Sequence, residues 1–253
     1  MFQTKIVIID PNISIHIIDI ENINNELQIY IDSHFVNICE GDSGSDLKQV
    51  KKIVLEFLSR KDSNTKMGAT AEFFLHLYLK SLGFKQECLY LNLEEGSIKK
   101  GFDGYYSLNN LEEYIMESKS GSHSTVGITH PNKIKEAYED LKKSLAGKKS
   151  NNNPWKNAYN HASHIDVGTA KNIRKNIKLL SDKFDKSIFH EIKNFNIIPA
   201  STIFLGGTWS NEYSKDIIDK LKEHSNQFEF KKLHIICVTQ KTLQLFEEYL
   251  KKD

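Results

Sequence analysis

Residues 101–119 have the sequence GFDGYYSLNNLEEYIMESK. Aromatic and aliphatic residues lie on both sides of a polar centre, so this stretch predicts a strand, a turn and a second strand. If the turn is centred on Asn110, Asp103 faces Glu117 across an antiparallel ladder, where opposed Cβ atoms lie about 4.5–5.5 Å apart. Because side chains alternate along a strand, Glu117 and Lys119 then project from the same face.

Two carboxylates and a lysine at this spacing are typical of a site that cleaves phosphodiesters with a metal ion. Opposed like charges destabilise a hairpin unless a cation lies between them, and Asp103 and Glu117 supply the oxygen ligands that Mg²⁺ prefers. A bound ion lowers the pKa of water, while the Lys119 ammonium group orients that water or stabilises the transition state. The alternative is a solvated strand face, since exposed Glu and Lys side chains often form only weak surface pairs.

A further acid precedes this hairpin in the chain. Apolar residues recur at helical spacing over residues 68–82, which predicts a helix that ends at Gly83. Glu72 falls at the margin of the apolar stripe of this helix. Two interpretations remain open: a partly buried acid that completes a metal site, or an acid near the helix start that complements the helix dipole.

The order of these features resembles that of the PD-(D/E)xK nuclease superfamily. The resemblance rests on a helix with Glu72, a strand over residues 89–93, a strand with Asp103, a strand with Glu117-Ser118-Lys119, and a following helix. More narrowly, Gly101-Phe102-Asp103 and Glu117-Ser118-Lys119 in a chain of this size resemble HamA, the nuclease subunit family of Hachiman anti-phage defence systems. The resemblance implies an α/β fold with a restriction-endonuclease-like core, in which helices flank a mixed sheet.

The resemblance also implies roles for single residues. Asp103, Glu117 and Glu72 would hold Mg²⁺, with Mn²⁺ as an alternative ion, and Lys119 would be the catalytic lysine. The substrate would be DNA, and a separate HamB-like helicase subunit would be the partner in antiviral defence. Two departures are visible: Phe102 stands where the superfamily's name has proline, and the helix after Lys119 lacks the Gln-x-x-x-Tyr pattern of RecB-like exonucleases.

Composition is compatible with a nuclease of the cytoplasm. The chain has 253 residues, of which 39% are hydrophobic, and this is enough for one sizeable α/β domain. The first apolar run stops at Asp10-Pro11, and no run approaches the roughly 18 apolar residues of a membrane span, so neither a secretory leader nor a membrane anchor is expected. The three cysteines lie far apart in sequence, which favours reduced, buried thiols.

Positive charge is concentrated after the hairpin, although the net charge is only +1. Residues 131–200 contain 14 Lys and Arg against 7 Asp and Glu, which leaves 20 against 26 elsewhere. Such clustering favours phosphate contacts, whereas the alternative is lysines that coat solvated helices. Trp155 either stacks a base or anchors its loop on the core. The candidate nucleic-acid-binding lysines are Lys135, Lys142, Lys143, Lys148, Lys149 and Lys156.

The remaining sequence predicts a strand-rich N-terminal accessory element over residues 1–44 and a nuclease-like domain over residues 45–253. Short apolar runs separated by Asn and Asp predict the N-terminal strands, at residues 5–9, 13–20, 27–31 and 35–38. Helical periodicity and breaker residues predict helices at residues 46–60, 132–146, 168–184, 211–224 and 241–251, strands at 197–205 and 232–239, and a long loop at 148–156.

Other functions stay open at this stage. A subunit that keeps the nuclease fold and binds nucleic acid without cutting it is the main alternative. A glycosidase would also use two carboxylates, about 5–9.5 Å apart, but it would give Lys119 no role. His161-x-x-His164 followed by Asp166 has spacing compatible with zinc, although no cysteine cluster or third histidine accompanies it. His123 lies close to the lysine motif in sequence, within a polar loop.

Overall fold

A seven-stranded mixed sheet organises the protein in this computed structural model, which describes residues 2–90, 101–149 and 152–252. The strands lie in the order β1-β2-β7-β6-β5-β4-β3. The strands β2, β7, β6 and β5 are parallel neighbours, while β1 and the pair β4 and β3 add antiparallel edges. Their bounds are β1 Gln3–Asp10, β2 Ile13–Ile20, β3 Lys85–Gln86, β4 Gly104–Leu108, β5 Glu112–Ser122, β6 Asn196–Phe204 and β7 Lys232–Gln240.

Helices cover both faces of the sheet, as expected for an α/β fold. Alternate side chains of the strands enter two separate hydrophobic cores, one with α1, α2, α3 and α8, the other with α4, α5, α6 and α7. Among the described residues no helix combines the length and apolar character needed to cross a membrane. The helices are α1 Asn25–Glu40, α2 Leu47–Ser59, α3 Ser63–Ser81, α4 His130–Leu145, α5 Pro154–Ala162, α6 Lys171–Asp185, α7 Ile218–Ser225 and α8 Gln244–Lys251.

The predicted hairpin register is confirmed. Gly104 pairs with Met116 and Leu108 pairs with Glu112, which places the turn at Asn110. Asn109 and Asn110 adopt φ values of 53° and 56°. Asparagine tolerates this left-handed conformation better than most residues, so the Asn-Asn pair supports the tight turn that sets the register.

The first two N-terminal strands are confirmed, but the predicted strands at 27–31 and 35–38 are wrong. One helix, α1, covers both segments, and the Asn24 side chain caps its start by accepting a hydrogen bond from Leu27 N. Its buried residues Leu27, Ile31, Phe35 and Ile38 recur every three or four positions. This spacing is helical. Taken separately, the two short apolar runs at 27–31 and 35–38 favour strands, and the helical spacing is visible only when the two runs are taken together.

Three further boundaries differ from the prediction. The last part of the loop predicted at 148–156 is wrong, because Asn153 caps α5 and Pro154 begins it. The helix at 211–224 is shortened to α7, since Asp216 has a φ of 53° that no α-helix accommodates. Of the predicted strand at 89–93, residues 89 and 90 are not in a strand and residues 91–93 lie outside the described residues. The antiparallel partner of β4 is instead the short strand β3.

Candidate active site

The hairpin brings Asp103 and Glu117 together at the N-terminal end of β4, because Asp103 directly precedes Gly104. Asp103 Oδ2 accepts a hydrogen bond of 2.7 Å from the Ser118 backbone N–H, which fixes the carboxyl group beside β5. Burial and the Glu117 carboxylate raise the pKa of Asp103 to about 7, against the opposing effects of the Ser118 N–H, Lys119 and Lys149. A cation beside the two carboxyl groups would offset the repulsion that the Glu117 carboxylate exerts on ionised Asp103.

Lys119 lies on the same face as Glu117, as strand alternation predicts. Its Nζ is 3.0 Å from Glu117 Oε1 and 2.7 Å from Asp140 Oδ2. Burial alone would lower the pKa of Lys119, but the two carboxylates outweigh it and the pKa is raised. Lys119 therefore keeps its proton at neutral pH, so it can donate hydrogen bonds and stabilise negative charge but cannot act as a base.

Asp140 and Lys149 complete this site, and the sequence did not predict their place in it. The Lys149 Nζ is 2.6 Å from Glu117 Oε1 and 3.1 Å from Asp140 Oδ2. Two ammonium groups thus share two carboxylates, an arrangement we call the charge cluster: Glu117, Lys119, Asp140 and Lys149. The sequence held one signal for Asp140, because it lies at the margin of the buried stripe of α4.

The geometry suits a small divalent cation bound by few protein ligands. Glu117 is only 2% exposed, and its Oε2 has no hydrogen-bond partner among the described residues. A buried carboxylate oxygen without a partner is costly, which favours a cation beside it. Across the described ranges, no three His, Cys, Asp or Glu side chains form a group that could hold a metal by themselves. Mg²⁺ suits such a site, since it binds through one or two carboxylates and completes its shell with water and phosphate.

Glu72 is buried on α3, which packs on the opposite face of the sheet from Glu117. The helix begins at Ser63, so Glu72 lies in its middle and the helix-dipole interpretation is wrong. Burial raises the pKa of the Tyr106 hydroxyl, and Glu72 and Asp103 both contribute to this rise. Both acids are therefore within electrostatic range of one phenol, although Glu72 forms no three-acid metal group with Asp103 and Glu117.

Trp155 is an anchor, because it is only 1% exposed and its ring packs 4.8 Å from that of Phe102. Phe102 thus links the segment before Asp103 to α5. This contact gives a structural reason for an aromatic residue at position 102. Trp155 is not available to stack a base.

The histidine candidates lie outside the charge cluster. His123 is an exposed residue after β5, and its backbone N–H bonds to Phe204 O. His164 lies 3.6 Å from Asp166, whereas the Nδ1 of His161 accepts a hydrogen bond from Leu89 N. No zinc-binding group of three such residues forms there within the described part of the chain.

The six candidate DNA-binding lysines have different environments. Lys149 belongs to the charge cluster, and Lys142 forms an ion pair of 3.2 Å with Glu229. The other four are exposed on α4, on α5 or in the segment that follows α4: Lys135, Lys143, Lys148 and Lys156.

The comparisons with known proteins identify one family. The HamA family model matches residues 3–253, which is nearly the whole chain. A search of curated proteins found no match.

Proposed function

The chain belongs to the HamA family, and from this membership and the geometry of the site we propose that it is a Mg²⁺-dependent deoxyribonuclease with a PD-(D/E)xK core. The family also fits a role in Hachiman anti-phage defence. The observation that carries the proposal is the convergence of Asp103, Glu117 and Lys119, with Lys119 Nζ 3.0 Å from a buried Glu117 carboxylate.

Asp103 and Glu117 would hold the metal ion, with Mn²⁺ as an alternative to Mg²⁺. The ion would lower the pKa of a bound water and offset the charge of the phosphate. Two observations support this assignment. Glu117 Oε2 has no hydrogen-bond partner among the described residues, and the pKa of Asp103 is raised. Glu72 lies on the other face of the sheet from Glu117, so it would not bind the ion directly and would assist only through water.

Lys119 would orient the attacking water and stabilise the charged transition state, because its ammonium group stays protonated. Asp140 has a separate task in this scheme. Asp140 lies 2.7 Å from Lys119 Nζ, so it would keep this ammonium charge at the site if a cation occupied Glu117. Asp140 is therefore a positioning residue, while Lys149 contributes a second positive charge for the phosphate.

A cleavage assay tests the proposal. Wild type is incubated with linear duplex, circular duplex and single-stranded DNA in Mg²⁺, in Mn²⁺ and in EDTA. Glu117→Gln and Lys119→Ala are expected to lose cleavage, because they remove a metal ligand and the catalytic ammonium group. Glu112→Gln is the matched control, since Glu112 lies on the same strand but pairs with Lys232.

Cleavage that survives in both site variants would refute the assignment. Binding of DNA without cleavage, under every metal and partner condition, would favour the silent binding subunit instead. We propose a helicase subunit as the partner, and its copurification with this chain from the native host is the corresponding test.

A further inference from the structure

One face of α6 carries a row of basic side chains. They recur at intervals of three and four residues, so they share one side of the helix. The opposite side is apolar and packs into the core through Ile173, Ile177 and Leu180. We call the basic side chains the α6 row: Lys171, Arg174, Lys175 and Lys178.

The α6 row lines an open groove of about 400 Å³ between α5 and α6. Tyr159 of α5 forms the other wall, and Lys178 Nζ lies 5.8 Å from the centre of its ring. Asp182 also lines the groove and pairs with Lys178. Within the described part of the chain, the remaining three cations of the row have no carboxylate within ion-pair distance. The groove is therefore strongly positive.

The groove lies on elements next to the candidate active site. At its start, α5 contacts the segment before Asp103, because Trp155 packs against Phe102. The Asn153 Nδ2 that precedes α5 donates a hydrogen bond of 2.9 Å to Ser181 O of α6. One short helix thus connects the site to the groove, and its exposed Lys156 precedes Tyr159 by one turn.

We propose that the α6 row binds the phosphate backbone of nucleic acid beyond the cleavage site. From Lys171 to Lys178 the helix rises about 10 Å. Over this length of the duplex axis, one strand of DNA carries about three phosphates, because the rise along the axis is 3.4 Å per phosphate. A row of four cations, of which only Lys178 has a carboxylate partner among the described residues, suits such a chain of anions together with its aromatic wall. That this nucleic acid is the substrate rests on the proposed function, but the binding itself does not.

Fluorescence anisotropy tests the proposal with a labelled 30-base-pair duplex and a labelled 30-nucleotide strand. Binding is measured from 50 to 300 mM KCl in EDTA, so cleavage plays no part. In K171A/K175A/K178A, the slope of log affinity against log salt should become shallower by about 2–3, because each lost phosphate contact removes about 0.7–0.9. Affinity at 100 mM KCl should fall at least tenfold. K48A/K52A/R60A is the matched control, because it removes two cations from α2 and a third from Arg60 directly after it, on the other face of the sheet.

The charge-retaining variant K171R/K175R/K178R should bind with the slope of wild type. If the alanine variant keeps the wild-type slope, the proposal is wrong. The proposal is also wrong if K171A/K175A/K178A keeps its DNA affinity but no longer copurifies with a partner subunit. The α6 row would then be a protein interface. A wild type that binds through the row yet never cuts DNA would refute the nuclease assignment and leave this inference standing.

Discussion

Replacement of Lys149 by methionine is expected to separate metal binding from cleavage. The Lys149 ammonium group lies 2.6 Å from Glu117 Oε1, so it competes with a cation for the same carboxylate. Methionine keeps an unbranched apolar chain and removes the charge. The metal should therefore bind more tightly, while cleavage should fall because a positive charge near the phosphate is lost.

The size of the effect follows from the exposure of the site. The Lys149 side chain is 35% exposed but that of Glu117 is only 3% exposed, so the value of the interaction in water is a lower bound. Two unit charges about 4 Å apart interact by about 1 kcal/mol in water, and a divalent ion doubles this repulsion. A gain of at least about 2 kcal/mol corresponds to Mg²⁺ affinity that is higher by roughly thirtyfold or more.

Isothermal titration with Mg²⁺ at pH 7.5 measures the affinity, and cleavage of linear duplex DNA measures the activity. Lys148→Met is the matched control, since Lys148 is the exposed neighbour outside the charge cluster. It should leave the Mg²⁺ affinity unchanged. If Lys149→Met binds Mg²⁺ no more tightly than wild type, Lys149 does not compete for Glu117 and the reasoning fails.

Three further predictions concern stability. Burial lowers the pKa of His130 to about 3 from 6.5. Between these pH values the imidazole is protonated in the unfolded chain but neutral in the folded protein. The free energy of unfolding should therefore fall by about 1.4 kcal/mol per pH unit as the pH is lowered below 6.5, and it should not change above that pH. Urea titrations of wild type and His130→Gln measure this slope. After allowance for the other histidines, only wild type should show it. Trp155→Ala should cost about 3–5 kcal/mol, because it empties a buried site, whereas Trp155→Phe should cost less; a loss below 1 kcal/mol would contradict the anchor role. Asn109→Ala should cost about 1 kcal/mol because of its φ of 53°, and Asn109→Gly should cost nothing; equal stability of the two variants would show that the turn tolerates alanine.

The core of the site could be predicted because it is local. Asp103, Glu117 and Lys119 belong to one hairpin, and the Asn-Asn turn is enough to set their register. Asp140 and Lys149 join them only through the way α4 crosses the sheet. No periodicity in the sequence specifies a crossing angle, so their contacts with Glu117 depend on packing between distant segments.

The limits of the fold prediction have the same cause. The strands at 13–20 and 232–239 were expected, but their parallel pairing joins residues more than 200 positions apart in the chain. Patterns within a short window do not encode such partners. The error at α1 was different, because its apolar positions fit a helix and only their grouping into short runs favoured strands.

The charges of the site give a reason for a lysine pair beside a carboxylate that we propose as a metal ligand. Above pH 7, where Asp103 is ionised, Asp103, Glu117 and Asp140 carry three negative charges and Lys119 and Lys149 carry two positive charges, which leaves one negative charge. Such a site repels a phosphodiester. A divalent cation would change this balance to one positive charge, and Asp140 would keep both lysines in place while it does so. We infer that Asp103 and the charge cluster together make the approach of the phosphate depend on the metal. Asp140→Asn should therefore weaken the metal dependence of DNA binding at the site more than it weakens DNA binding along the α6 row.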